Sequence, residues 1–423
     1  MSKKYSSRPY ECARDQFASL GIDTEVAIKN AAQVPVSLHC WQGDDVGGFE
    51  HIGGGAPGGG LAVTGNYPSK ARTPEELRED LDFVLSLLPG TQRVNLHACY
   101  AEFGDAPRVD RDAYSVRQFR NWIDWAKSRG MGLDFNPTFF AHPKAADGCT
   151  LSNRDEGIRD FWVEHGKRSR EIAAAMGREL GSSVLNNFWV PDGSKDTPAD
   201  RLGPRRRLAN SLDQIFHRKY ASDLTVESVE SKLFGVGCES YTVGSHEFYM
   251  GYAMSRKKFL CLDAGHFHPT EVISDKLTSV FDFVPGIALH VSRPVRWDSD
   301  HVVTFSDELV AIAQELVSND LLAHTRVGLD YFDASINRLA AWTVGARNLR
   351  RALLMAFLMP NASLRAAESA GDNTARLVLQ EEFRQLPFGA VFDRLCEETG
   401  VPVGMAWFEP VRKYEHKVTA QRC

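Results

Sequence analysis

The run Ile287-Ala288-Leu289-His290-Val291, and after it Val327-Gly328-Leu329-Asp330-Tyr331, decides the fold. In each, apolar residues take every second position and one ionisable side chain stands alone on the other face, near the C-terminal end. A period of two is that of a β-strand, whose side chains alternate between faces. Two earlier runs repeat the pattern. Val229-Glu230-Ser231-Lys232-Leu233 sets Glu230 and Lys232 against Val229 and Leu233, and Leu260-Cys261-Leu262-Asp263 sets Asp263 against two leucines. Four successive strands with an apolar outer side and a polar inner side fit a barrel clad in helices, with its site at the strands' C-terminal mouth.

Working outward, β-rich segments recur at 34–40, 93–100, 132–140, 183–190, 226–235, 259–267, 287–293 and 326–332, with helical periodicity between them. Thr73, Pro74 and Glu76 read as an N-cap, an N1 proline and a capping-box acid, and Leu77, Leu81, Leu85 and Leu88 continue one helix face. Val116, Phe119, Ile123 and Ala126 keep the same spacing. Strands alternating with helices imply parallel pairing through crossovers, so the expected fold is α/β, a (β/α)8 TIM barrel. A doubly wound open sheet normally shows a glycine-rich turn straight after its first strand. Here that strand leads into Trp41-Gln42-Gly43-Asp44-Asp45. The later run from Gly53 to Gly60 lacks the Gly-Lys-Ser/Thr ending of a phosphate loop and reads as a lid or irregular loop. The expected division is an N-terminal segment 1–30, the barrel 31–345 and a C-terminal helical extension 346–423, with helices over 334–358, 364–368 and 374–383.

With 49 Lys and Arg against 55 Asp and Glu, the chain has a formal net charge of -6 and no global positive field for nucleic acid or an anionic membrane. No apolar run has the length of a signal peptide or of a bilayer span. The eight cysteines include no C-x-x-C pair, which fits reduced thiols and a cytoplasmic location.

Three carboxylates and a histidine converging in a barrel mouth differ from a single buried polar residue. Uncompensated buried negative charge is costly, and Lys232 can neutralise one acid but not three. Glu230, Asp263, His290 and Asp330 therefore read as a ligand set for a divalent metal. His266, Asp298 and Asp300, on the loops after strands six and seven, supply a second cluster. Together they suggest two neighbouring metals sharing a carboxylate. Oxygen and imidazole donors without thiolate favour manganese, magnesium, cobalt or zinc.

The runs 35–45, 229–235, 262–271, 290–300 and 330–338 closely resemble bacterial L-rhamnose isomerases, a xylose-isomerase-like barrel family, and the resemblance extends from about residue 30 to the C-terminus. It implies structural-metal ligands at Glu230, Asp263, His290 and Asp330. Catalytic-metal ligands fall at His266, Asp298 and Asp300, with Glu230 or Asp263 as the bridge. An active-site lysine falls at Lys232 and substrate-pocket residues at His97 and Trp189. It further implies a homotetramer that converts L-rhamnose to L-rhamnulose with Mn2+ or a related divalent ion, one of the two being replaceable by Zn2+, Co2+ or Mg2+. The main departure is the glycine-richer stretch from Gly53 to Gly60.

The expected chemistry is a metal-assisted hydride shift from C2 to C1, with a metal-activated water moving the proton between the oxygens and Lys232 donating to the carbonyl oxygen. An enediol route with Asp330 as base is the mechanistic rival. A metal-dependent epimerase or aldolase would use similar ligands, and a non-catalytic sugar-binding barrel is the remaining alternative. His39 and His268 read as structural, and Trp41 as packing or sugar stacking.

Overall fold

The computed structural model describes residues 8–50, 64–233 and 240–422. The glycine-rich stretch from Gly53 to Gly60 and the end of the fifth expected strand lie outside these. Eight parallel strands form the barrel: β1 (Val36–His39), β2 (Gln92–His97), β3 (Gly132–Asn136), β4 (Val184–Trp189), β5 (Thr225–Glu230), β6 (Phe259–Asp263), β7 (Ile287–Val291) and β8 (Thr325–Leu329). Each pairs with its sequence neighbours, and β1 closes the ring against β8.

All eight start within two residues of the expected position but end earlier. The mouth explains this. After His97 the chain turns into a 3-10 helix, and after Asp263 it bends at once, with the Gly265 amide donating to the Asp263 carboxylate at 2.6 Å. Past the strand ends Phe140, His266, Asp330 and Phe332 leave the ladder and line the opening. Lys232 is therefore beyond β5 and not on its inner face.

Helices α1 (Arg8–Ser19) and α2 (Thr24–Gln33) precede the barrel. One crossover helix follows each strand in turn: α3 (Pro74–Leu85), α4 (Arg120–Ser128), α5 (Glu156–Leu180), α6 (Leu202–Ile215), α7 (His246–Arg256), α8 (Ile273–Phe281), α9 (Asp307–Ser318) and α10 (Arg338–Phe357). Thr73 caps α3 by accepting from the Glu76 amide at 3.2 Å, while the Glu76 carboxylate reaches past the cap to the Arg72 amide at 2.8 Å. The first part of the helix expected from Val116 is a 3-10 turn that leads into α4.

Helix α10 runs unbroken across residue 345. Its Arg350, 1% exposed, donates to the carbonyls of Ala31, Val34 and Thr91 and so ties the end of α2 to the entry of β1 and β2. The tail holds α11 (Asn361–Ser369), α12 (Asn373–Arg384), α13 (Phe388–Glu398) and α14 (Phe408–Lys417). The last two extend the helical reading. Val391, Phe392 and Leu395 of α13 join Phe17 of α1 and Leu354 of α10 in a second core outside the barrel, where each buried leucine or phenylalanine contributes about 1.5–3 kcal/mol. The chain end is pinned by Arg422, whose guanidinium pairs with the buried Asp80 carboxylate of α3 at 2.6 and 2.8 Å.

The loop after β1 enters the mouth under restraint. Asp45 and Val46 both have φ of 60°, a conformation that is costly for a β-branched residue. Arg338 holds the Asp45 carboxylate with two bonds of 2.8 Å, and Asp44 accepts from Tyr100 Oη at 2.6 Å and the Gly48 amide at 2.8 Å. Burial pushes Asp44 up to about 7, against the pull of those two donors. The folded protein keeps this proton between pH 3.8 and about 7 while the unfolded chain loses it. Stability therefore falls as pH rises through that window, by on the order of 4 kcal/mol from this group. Asp44→Asn is expected to flatten the curve there, as read from melting temperature against pH; a curve unchanged from the parent chain would refute the assignment.

Candidate metal centre

Strand register assembles the mouth. Glu230 ends β5 opposite Cys261 of β6, Asp263 ends β6 opposite His290 of β7, and His290 lies opposite Gly328, two residues before Asp330. His290 Nδ1 consequently faces three carboxylates, at 3.2 Å from Glu230 Oε1, 3.5 Å from Asp263 Oδ2 and 3.0 Å from Asp330 Oδ2. Donor atoms of these four residues all lie within 4.8 Å of one another, a spacing one cation can span.

A second group of the same compactness contains Asp263, His266 and Asp298, so Asp263 belongs to both. His266 Nε2 is 3.1 Å from Asp298 Oδ2, and its Nδ1 is 3.4 Å from Glu230 Oε1. Gly265 permits this approach, because a Cβ on it would sit 2.1 Å from Asp298 Oδ1. Asp300 lines the same pocket but is not within that ligand spacing among the described residues. Its backbone has φ of 46°.

The charges are out of balance. Burial, then Asp298, Asp330 and Asp263, hold the Asp300 carboxyl well above the usual range. Asp263 is pushed up to about 6, first by burial and against the pull of His266 and His290. Burial lowers the basicity of both histidines, but the surrounding anions outweigh it and hold each well above an ordinary imidazole. Asp330 goes the other way, its burial outweighed by His39 and His290. Among the described residues His290 Nε2 and Asp298 Oδ1 are buried and meet no hydrogen-bond partner. Clustered carboxylates and two imidazoles are a donor set suited to a hard or borderline divalent cation.

The remaining expected residues lie around this centre. Lys232 is buried, with Nζ 5.4 Å from the centre of the Trp189 ring. Trp189 stacks on His266 at 6.4 Å with the rings 13° apart. His97 is pushed down to about 3 by burial, contacts Thr138 Oγ1 at 3.3 Å and lies against Trp41 and Phe140. Two residues have a more specific place than their sequence suggested: His39 Nδ1 lies 3.1 Å from Asp330 Oδ1, and Trp41 Nε1 donates to the same oxygen at 3.0 Å. Asn187, which the sequence reading passed over, donates to Glu230. Its inward direction follows from its place between Leu185 and Trp189, and alternation along β4 is the signal that would have found it.

The family described as L-rhamnose isomerase (RhaA) matches residues 5–422. Among curated relatives, L-rhamnose isomerase of Rhodopirellula baltica is 57% identical over 98% of this chain and 96% of its own length. Those of Mannheimia succiniciproducens and Escherichia coli are 56% and 54% identical, each over 98% of both chains. Among the described residues no helix is long and apolar enough to cross a membrane. A match along nearly the whole chain, on a closed eight-stranded barrel with this mouth, makes the protein a member of the L-rhamnose isomerase family, and so a metal-dependent sugar isomerase.

Proposed function

We propose that the protein interconverts L-rhamnose and L-rhamnulose with two Mn2+ ions, one of them replaceable by Zn2+, Co2+ or Mg2+. The observation that carries this reading is the pair of ligand groups that share Asp263. Glu230, Asp263, His290 and Asp330 would hold one ion. His266, Asp298 and Asp300 would hold the other, next to Asp263, which belongs to both groups. When bound, the ions supply Lewis acidity toward the hydroxyl and carbonyl oxygens of the open-chain sugar.

The chain's own groups act around that chemistry. Hydrogen passes from C2 to C1 with its electron pair while a proton passes from O2 to O1, so the aldehyde carbon is reduced and C2 becomes the ketone. The Lys232 ammonium donates to the carbonyl oxygen as negative charge develops there. Trp189 and His97 wall the sugar, and the aromatic faces exclude water from the reacting carbons. An epimerase or aldolase would employ similar ligands, but relatives at 54–57% identity along the whole chain favour the aldose-ketose isomerisation. The same resemblance supports a homotetramer, and the absence of a C-x-x-C pair supports a reducing, cytoplasmic setting.

Chelator-stripped protein is expected to regain L-rhamnulose formation on addition of Mn2+, with other aldoses turned over more slowly; failure of every divalent ion to restore ketose would overturn the proposal. Lys232→Met is expected to lower kcat by about 10²–10³ with little change in KM, and steady-state kinetics showing a KM effect alone would remove the lysine from the chemistry. Turnover in deuterated water should leave C1 of the ketose essentially unlabelled, whereas substantial deuterium there would replace the hydride shift with proton abstraction by Asp330.

A further inference from the structure

Asp330 contributes two oxygens, and they have different surroundings. Oδ2 faces His290 and the other carboxylates, 3.0 Å from His290 Nδ1. Oδ1 faces away from them toward β1. There it receives Trp41 Nε1–H at 3.0 Å and lies 3.1 Å from His39 Nδ1. His39 is 1% exposed, and its other nitrogen, Nε2, accepts from Asn95 Nδ2 at 3.2 Å. An amide donor on Nε2 leaves the ring proton on Nδ1, the nitrogen that lies 3.1 Å from Asp330 Oδ1.

Several features of the barrel hold this arrangement. The His39 and Trp41 rings contact each other with centroids 4.2 Å apart, and the His39 carbonyl accepts from Trp342 Nε1 at 3.0 Å. Gly328 opposes the His39 ring from β8, where a Cβ would come within 2.7 Å of Nε2. Asn95 does not line the mouth; with His39 and Gly328 it lines a separate cavity of about 250 Å³ beneath it.

We infer that the Asn95, His39 and Trp41 side chains are positioning residues for the first cation: the Trp41 hydrogen bond and the adjacent His39 imidazole occupy Asp330 Oδ1, so that Oδ2 is the oxygen presented to the metal and rotation of the carboxylate to chelate through both oxygens is opposed. Hydrogen bonds of this kind behind a metal ligand fix its orientation, and losing one typically weakens the metal by about 10- to 100-fold. The inference rests on the proposed ligand group of Glu230, Asp263, His290 and Asp330.

The test is Mn2+ binding to chelator-stripped protein without sugar, with free ion counted by electron paramagnetic resonance. His39→Ala and Trp41→Phe should each weaken one of the two bound ions by about 10- to 100-fold and leave the other in place, a split that general loosening of the barrel would not produce. His39→Asn, which retains a donor near the Nδ1 position, should restore most of the affinity. Asn95→Leu, altered on the far side from the sugar pocket, should weaken the same ion. If His39→Ala does not fold, Trp41→Phe and Asn95→Leu carry the test alone. Unchanged Mn2+ affinity in the folded variants, equal loss of both ions, or no rescue by His39→Asn overturns the inference while leaving the two-ion reading intact. Failure of the unsubstituted chain to bind Mn2+ overturns both.

Discussion

Repulsion among the carboxylates in the barrel mouth is the constraint to which the rest of the structure answers. Two anions about 5 Å apart repel by roughly 3 kcal/mol at an effective dielectric near 20. Several such pairs rival the whole net stability of an ordinary domain, about 5–15 kcal/mol. Glu230, Asp263 and Asp330 are nonetheless brought to within ligand spacing of one another, and Asp298 to within that spacing of Asp263. Rigid strand ends, the tight bend at Gly265 and the helix coat keep them there when their mutual field pushes them apart.

The other end of the same barrel shows how the protein treats a carboxylate meant to be self-sufficient. Asp134 of β3 is also buried, yet it is met by Arg93 Nε at 3.0 Å and Nη2 at 2.9 Å, by Ser37 Oγ at 2.7 Å and by the Leu185 amide at 2.9 Å. Burial is outweighed and Asp134 is held below the ordinary range, Arg93 being the main cause. One carboxylate there has a guanidinium to itself. At the mouth five carboxylates face three imidazoles, those of His39, His266 and His290. The contrast lies within one barrel, so it reflects the use of the two ends and not a general tolerance for buried acid.

The period of two made the strands and the inward direction of Glu230, Asp263 and His290 legible, because alternation is a property of local sequence; Asp330 reaches the same mouth from just past β8. Strand ends were not legible, since leaving the ladder depends on what the mouth must hold. Lys232 illustrates this: alternation put it on the face of Glu230, but β5 has ended before it. His39 shares the alternation, on the face opposite Val36, Leu38 and Cys40, but its partner was not legible. Its neighbours Leu38 and Cys40 fit a buried strand, and its contact with Asp330 arises only because β1 closes the ring against β8. Helices α13 and α14 escaped for a similar reason, as they are stabilised by α1, α3 and α10 from distant parts of the chain.

Ring closure between the first and last strands therefore does more than complete a sheet. It delivers donors from β1 to an acid just beyond β8, on residues nearly the whole barrel apart in sequence. A carboxylate on a flexible stem has several nearly equal poses, since it can offer a cation one oxygen or two. Catalysis on an open-chain sugar requires one, because a displacement of about 1 Å at a reacting oxygen is enough to cost two orders of magnitude in rate. Closure of the barrel thus couples fold completion to site geometry: a chain that had not yet docked β1 on β8 would carry the candidate ligands of β5, β6 and β7 but leave Asp330 without His39 and Trp41 beside it. The same contact that removes the sheet's last free edges brings His39 and Trp41 to the Asp330 carboxylate.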